Sequence, residues 1–120
     1  MSVVHVSGET GVGTWIDVCA FDELDPDRGV CALVESRQVA VFRVSPEDDV
    51  FAVSNYDPCG AASVLSRGIV GSVGDEVVVA SPLYKHRFEL RTGRCVDDPA
   101  VAIPVYRVRV HCGRVQVAVP

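Results

Sequence analysis

The chain has 120 residues, enough for one hydrophobic core and too few for two. Hydrophobic residues make up 48% of it, valine prominent among them, which marks a globular chain and not a disordered one. A net charge of −5 excludes nucleic acid as the main partner, because phosphate binding needs a basic footprint.

Residues 1–13 are small, polar and glycine-containing, and read as a leader or first edge strand ahead of a single domain over residues 14–120. Residues 14–20 (TWIDVCA) read as a strand, with β-branched and aromatic side chains suited to a pleated surface. Residues 22–29 (DELDPDRG) are turn material. Residues 29–34 and 38–44 then form a hairpin across Glu35, Ser36 and Arg37. Ser45 and Pro46 suit the N-cap and first position of one helical turn, and no apolar 3.6-residue period follows to extend it.

Residues 50–53 are another strand, leading into a first loop, SNYDPCGAASVLSRG. Residues 69–70 and 76–80 pair across 71–75 and lead into a second loop within ASPLYKHRFELRTG. Residues 87–90 and 95–96 pair across Arg91–Arg94, where Gly93 supplies positive φ. In residues 105–110 (VYRVRV), Tyr106, Val108 and Val110 face one side and Arg107 and Arg109 the other, and Val115, Val117 and Val119 continue the alternation after a turn at Gly113. Many short strands and no amphipathic helix predict an all-β sandwich or barrel.

The charges are unevenly placed. Residues 1–60 hold eleven acids against three bases, and residues 84–114 hold seven bases (Lys85, Arg87, Arg91, Arg94, Arg107, Arg109, Arg114) against three acids. Two differently solvated faces would give this pattern, as would a docking surface for an acidic partner. The five cysteines (Cys19, Cys31, Cys59, Cys95, Cys112) include no C-x-x-C, the first residues show no secretion signal, and no apolar run approaches the ~20 residues of a membrane helix. A cytoplasmic, reduced chain off the membrane follows, with the cysteines as small hydrophobes.

Little catalytic chemistry is visible. Metal sites need clustered thiolates or imidazoles, and His5, His86 and His111 are scattered. Cys59 and His86 are the only cysteine and histidine in the two loops. They are too few to close a metal site, and they lack a third group to orient a thiolate–imidazole pair. Gly8, Gly11 and Gly13 precede the first strand and so do not form a phosphate cradle. Asp48-Asp49 and Asp97-Asp98 lie in polar connections.

From about Trp15 to Val119 the chain resembles a Rieske-type domain. It is similar, more narrowly, to the small-subunit family of the NADH-dependent assimilatory nitrite reductases. The segments GVCALV with VAVFR, then SNYDP and ASVLSRGIV, then VASPLYKHRFELRTGRCVDDP carry the likeness. In Rieske proteins the two loops bear C-x-H and C-x-x-H and grip an iron–sulfur cluster. In register with them, those positions fall on Asp57 and Cys59 and on Ser81 and Tyr84, so the resemblance implies a Rieske fold without its ligands. It implies as partner a large catalytic subunit carrying FAD, an iron–sulfur cluster and sirohaem, which reduces nitrite to ammonium with electrons from NADH. This chain would hold no cofactor and would stabilise or activate that subunit.

The two loops then suit a partner interface, with Pro58, Leu65, Pro82, Leu83 and Tyr84 as apolar contacts and Arg67, Lys85, His86 and Arg87 as cations. In the competing reading the loops pack on each other, and Leu65, Leu83 and Phe88 fill a small core. Two other functions stay open at this point: a [2Fe–2S] electron carrier using Cys59 and His86, and an accessory β module of another oxidoreductase.

Overall fold

The computed structural model describes residues 3–6, 15–83 and 85–118. Twelve strands run through the described residues: β1 (Val3–Val6), β2 (Trp15–Ala20), β3 (Arg28–Val34), β4 (Arg37–Val44), β5 (Asp49–Ser54), β6 (Tyr56–Asp57), β7 (Ala62–Ser63), β8 (Ile69–Val73), β9 (Glu76–Ala80), β10 (Arg87–Glu89), β11 (Val105–His111) and β12 (Arg114–Ala118). The helical content is two single 3-10 turns, Phe21–Glu23 and Leu65–Arg67. The all-β expectation holds.

The main sheet has seven strands in the order β1-β3-β4-β5-β11-β12-β2, antiparallel except for the β1–β3 pair. It curls until its end strands β1 and β2 approach each other, as a half-barrel. A second sheet, β10-β9-β8, and the small β6–β7 hairpin complete the fold.

Two cores follow from the two-residue period of β4, whose side chains alternate between faces. Val39 and Val41 point into the half-barrel with Ile16, Val18, Val34, Ala52, Val115 and Val117. Ala40, Phe42 and Val44 point the other way, meeting Val53, Leu65, Val79, Phe88, Leu90, Cys95 and Ile103 under the three-stranded sheet. Both faces of β4 are covered, which is why QVAVFRV reads as a nearly unbroken apolar run. The final hairpin alternates as expected on β12, where Val115 and Val117 are fully buried; on β11 the period fades, and Val110 is 46% exposed.

The structure departs from the sequence expectations in three places. Ser45 caps no helical turn, because its N–H and hydroxyl both donate to the Asp27 carboxylate, at 3.0 and 2.6 Å, across to the start of β3. The second-sheet hairpin is tighter than expected: β8 runs on through Gly71 and Ser72 to Val73, and Gly74 at φ +60° makes the turn. The first loop holds the unforeseen β6–β7 pair, Tyr56 opposite Ser63 and Asp57 opposite Ala62. Gly93 does adopt positive φ (+80°), and its carbonyl accepts from the Ile103 N–H at 2.8 Å. Thr14, Tyr84, Val119 and most of residues 1–13 lie outside the described residues.

Candidate functional site

β5 delivers the chain to the first loop, and Asn55 sets its departure. This residue is fully buried. Its N–H donates to the Gln38 carbonyl and its own carbonyl accepts from the Leu65 N–H, both at 3.0 Å. Its side-chain Oδ1 accepts from the Ser66 N–H at 2.7 Å, and Nδ2 donates to Gln38 Oε1 at 3.0 Å and Cys31 Sγ at 3.5 Å. A single amide thus ties the two ends of the loop to each other and to β4. Sequence reasoning passed over Asn55; the signal was an asparagine at the end of a strand, where that residue type is depleted.

The tip itself is made by both loops. Asp57 is fully buried, and its Oδ1 accepts from the Cys59 N–H at 2.8 Å, a local turn that aspartate favours. Its Oδ2 accepts from the Ser81 hydroxyl at 2.5 Å, across to the second loop. Ser81 is buried too; its N–H donates to the His86 carbonyl at 2.9 Å, and its Oγ accepts from the Leu83 N–H at 3.3 Å. Leu83 covers Gly60 so closely that a Cβ there would stand 2.5 Å from Leu83 Cδ1. A side chain at 60 would therefore push the Leu83 side chain aside from its present seat between the loops.

Of the four positions singled out as former ligand sites, Asp57 and Ser81 are hydrogen-bonded to each other. Cys59 is half-buried against the second core, and Tyr84 is outside the described residues. Burial, and then the neighbouring Asp57 carboxylate, Cys95 and Asp98, push the Cys59 thiol pKa up, away from thiolate. His86 Nδ1 is buried without a hydrogen-bond partner, and no hydrogen bond joins His86 to Cys59 among the described residues. No thiolate–imidazole pair is assembled.

Pro58, Arg67, Pro82, Leu83, Lys85 and Arg87 are exposed, and His86 is half-buried. Leu65 is a correction: it is fully buried in the second core, held there by its N–H bond to Asn55, and has no surface to offer a partner. Phe88 fills that core beside it, as the competing reading expected, whereas Leu83 stays 44% exposed. Tyr56, 47% exposed at the same tip, is an apolar surface residue that sequence reasoning did not single out.

The seven bases of residues 84–114 do not form one free cationic patch. Arg91 pairs with Glu76 at 3.0 Å and Arg114 with Asp17 at 2.8 Å, while Arg107 and Arg109 lie over the Trp15 ring at 5.2 and 4.3 Å. Arg87 grips Asp97 with two side-chain contacts, at 2.7 and 3.2 Å, and its backbone N–H donates to the same carboxylate at 2.8 Å. These bonds, the Arg87 side chain first, hold the Asp97 pKa down to about 2. A depressed carboxylate contributes stability above its unfolded pKa, near 4, and loses it as pH falls toward 2. The decline in Tm between pH 4 and 2 is therefore expected to be shallower in Asp97→Asn than in the parent chain, as thermal melts across that range would show. Equal slopes would mean that the contact contributes nothing.

Residues 14–118 match the family model described as a Rieske-like [2Fe-2S] domain. The chain is 47% identical over 102 residues to the nitrite reductase (NADH) small subunit of Escherichia coli K12, covering 85% of this chain and 94% of that one. The solution structure of a nitrite reductase [NAD(P)H] small subunit from Erwinia carotovora superposes with a TM-score of 0.75 at 47% identity, over 88% of this chain and 82% of that one. A stretch of the nitrite reductase [NAD(P)H] large subunit of Klebsiella oxytoca is 41% identical over 103 residues, which is 86% of this chain and 11% of that one.

The fold is thus of the [2Fe–2S] type, and the tip does not fit the cluster. Such a cluster takes thiolates and imidazoles, while the described positions carry a carboxylate, a thiol biased toward its protonated form and a hydroxyl. The carboxylate and hydroxyl satisfy each other directly across the space between the loops. No three His, Cys, Asp or Glu side chains converge as a metal site among the described residues. In sequence and in fold, the chain belongs to the Rieske-like domain family and, within it, to the small subunits of NADH-dependent nitrite reductase.

Proposed function

We propose that this chain is the non-catalytic small subunit of a cytoplasmic NADH-dependent nitrite reductase, and that its two-loop tip docks on the large subunit. The observation that carries this reading is the tip. Two of the four positions that the resemblance assigns to ligands, Asp57 and Ser81, are joined by an internal hydrogen bond, and the exposed residues of the two loops include Pro58, Pro82 and the 44% exposed Leu83, with the cations Arg67, Lys85 and Arg87. A rigid surface of apolar and arginine side chains suits recognition better than chemistry. The large-subunit stretch homologous to this chain supports the choice of partner, because there the domain and the enzyme share one polypeptide.

FAD, an iron–sulfur cluster and sirohaem belong, in this reading, to the large subunit, which moves electrons from NADH to nitrite. The small subunit stabilises the active form of that enzyme. Five free cysteines among the described residues, three of them buried, suit a reducing cytoplasm.

Reconstitution tests it. Adding the purified chain to the large subunit is expected to raise NADH-dependent nitrite reduction and to give a stable complex, and Leu83→Asp, assayed well below its own Tm because Leu83 also seats on Gly60, is expected to weaken that complex at least tenfold. Absence of any complex, together with no effect on activity, would overturn the proposal. A complex indifferent to Leu83→Asp would move the interface away from the tip.

A further inference from the structure

A cleft of about 300 Å³ lies beside the tip, between the start of β3 and the 3-10 turn Leu65–Arg67, lined by Asp27, Arg28, Gly29, Ser66, Arg67 and Gly68. Its floor is a tight backbone approach. A Cβ at Gly29 would stand 2.4 Å from the Ser66 carbonyl oxygen, and one at Gly68 would stand 2.5 Å from that of Ala80.

Arg28 and Arg67 both line the cleft and are both exposed. Arg43, Arg87, Arg91 and Arg114 each have a carboxylate within 3.0 Å, whereas neither Arg28 nor Arg67 has a side-chain partner among the described residues. The one acid of the lining, Asp27, is turned to Ser45, whose N–H and hydroxyl occupy its two oxygens and hold its pKa below the usual carboxylate range. Its charge lowers the local excess from two to one without satisfying either guanidinium.

Most of the main-chain amides lining the cleft are already given to acceptors within the protein, Asp27 N–H to the Arg43 carbonyl among them. The Ser66 N–H is given to Asn55 Oδ1, Arg67 N–H to the Val64 carbonyl, Gly68 N–H to the Leu65 carbonyl and Arg28 N–H to the Asp25 carbonyl. A free phosphate group is normally cradled by several such amides. Two unpaired guanidinium forks over an amide-poor floor suit instead a carboxylate whose remaining contacts come from the surface that carries it.

We propose that an aspartate or glutamate side chain of the large subunit inserts between Arg28 and Arg67. This deepens the docking reading above and rests on it. Arg67 lies in the last turn of the first loop, so the cleft continues that loop, and in a chain of net charge −5 it supplies local positive charge where an acidic partner surface would otherwise be repelled.

The test is calorimetric titration of the large subunit with the parent chain, Arg28→Ala, Arg67→Ala, the double variant and Leu83→Asp, each at about 50 and 300 mM salt. Both arginines are exposed and unpaired, so the variants are expected to keep the parent Tm. Each single change should weaken binding about three- to tenfold at low salt, and the double variant should lose most of the salt dependence. Leu83→Asp should weaken binding at both salts, and less at 300 mM than at 50 mM, because the added carboxylate is repelled by an acidic partner surface and salt screens that repulsion. A parent that binds and a double variant that binds as tightly, with the same salt dependence, would overturn the cleft and leave the docking reading standing. A parent that does not bind would overturn both. In a second arm, inorganic phosphate is titrated into the chain alone; saturable binding abolished in the double variant would assign the cleft to free phosphate and overturn the carboxylate.

Discussion

Phe88→Ala is expected to cost about 3–5 kcal/mol of folding stability, the usual range for emptying a buried aromatic site. Phe88 is fully buried at the centre of β10, opposite Val79 on one side and Cys95 on the other. Its neighbours in the second core, Phe42, Leu65, Val79 and Leu90, are on elements already fixed by their own hydrogen bonds, so they are poorly placed to collapse into the space. A domain of this size has a total stability of roughly 5–15 kcal/mol, so the loss would be a large part of it. Urea denaturation should show a lower midpoint with an unchanged slope. Val110→Ala, at a side chain 46% exposed, should stay within about 0.5 kcal/mol and serves as the control. A cost below about 1 kcal/mol for Phe88→Ala would mean that the second core can close over the gap and that the loops do not depend on it.

That core also explains why the two loops keep their positions. Leu65 anchors the end of the first loop in it, and β9 and β10, which flank the second loop, contribute Val79 and Phe88. The tip is an outgrowth of a packed layer. A loss of packing beneath it is expected to loosen Ser81 and Asp57 before it disturbs the half-barrel, whose core is made of a separate set of side chains.

The parts of this fold that were legible in the sequence are those set by local periodicity. Tyr106, Val108, Val115 and Val117 alternate with polar residues because β11 and β12 each have one wet face, and the hairpin could be read from that alone. The extent of β8 was not legible, because Gly71-Ser72 and Gly74-Asp75 compete as turn signals. The structure uses the second, and Gly71 lies within the strand with open space around its missing side chain. The loops themselves could be placed from motif resemblance, but their internal bonding could not. Asn55 meets Gln38 and Cys31 across 17 and 24 residues of sequence, and Asp57 meets Ser81 across 24. Nothing in a local window announces such pairs. For the same reason Arg87 and Arg91 counted as free charge in the sequence, although each finds a carboxylate once the strands are in register, and Arg28 and Arg67 drew no attention as a pair.

Asp57 and Ser81 are expected to be energetically coupled by about 1–3 kcal/mol in a double-mutant cycle, and this is the sharpest test of what holds the two loops together. Asp57→Ala should cost about 2–4 kcal/mol, since it leaves the Ser81 hydroxyl and the Cys59 N–H without their acceptor in a buried place. Ser81→Ala strips one donor from a buried carboxylate and should cost somewhat less. The double variant removes donor and acceptor together, so its cost should fall short of the sum of the two. Among the described residues, the Asp57–Ser81 hydrogen bond and the seating of Leu83 over Gly60 both span the gap between the loops. Those two contacts can be separated. Additive costs, within about 0.5 kcal/mol, would shift the weight of the joint, among the described residues, to Leu83, and Leu83→Ala would then be the change that loosens the loops. A coupling of 1 kcal/mol or more makes the carboxylate–hydroxyl bond the joint and leaves the exposed face of Leu83 available to the partner.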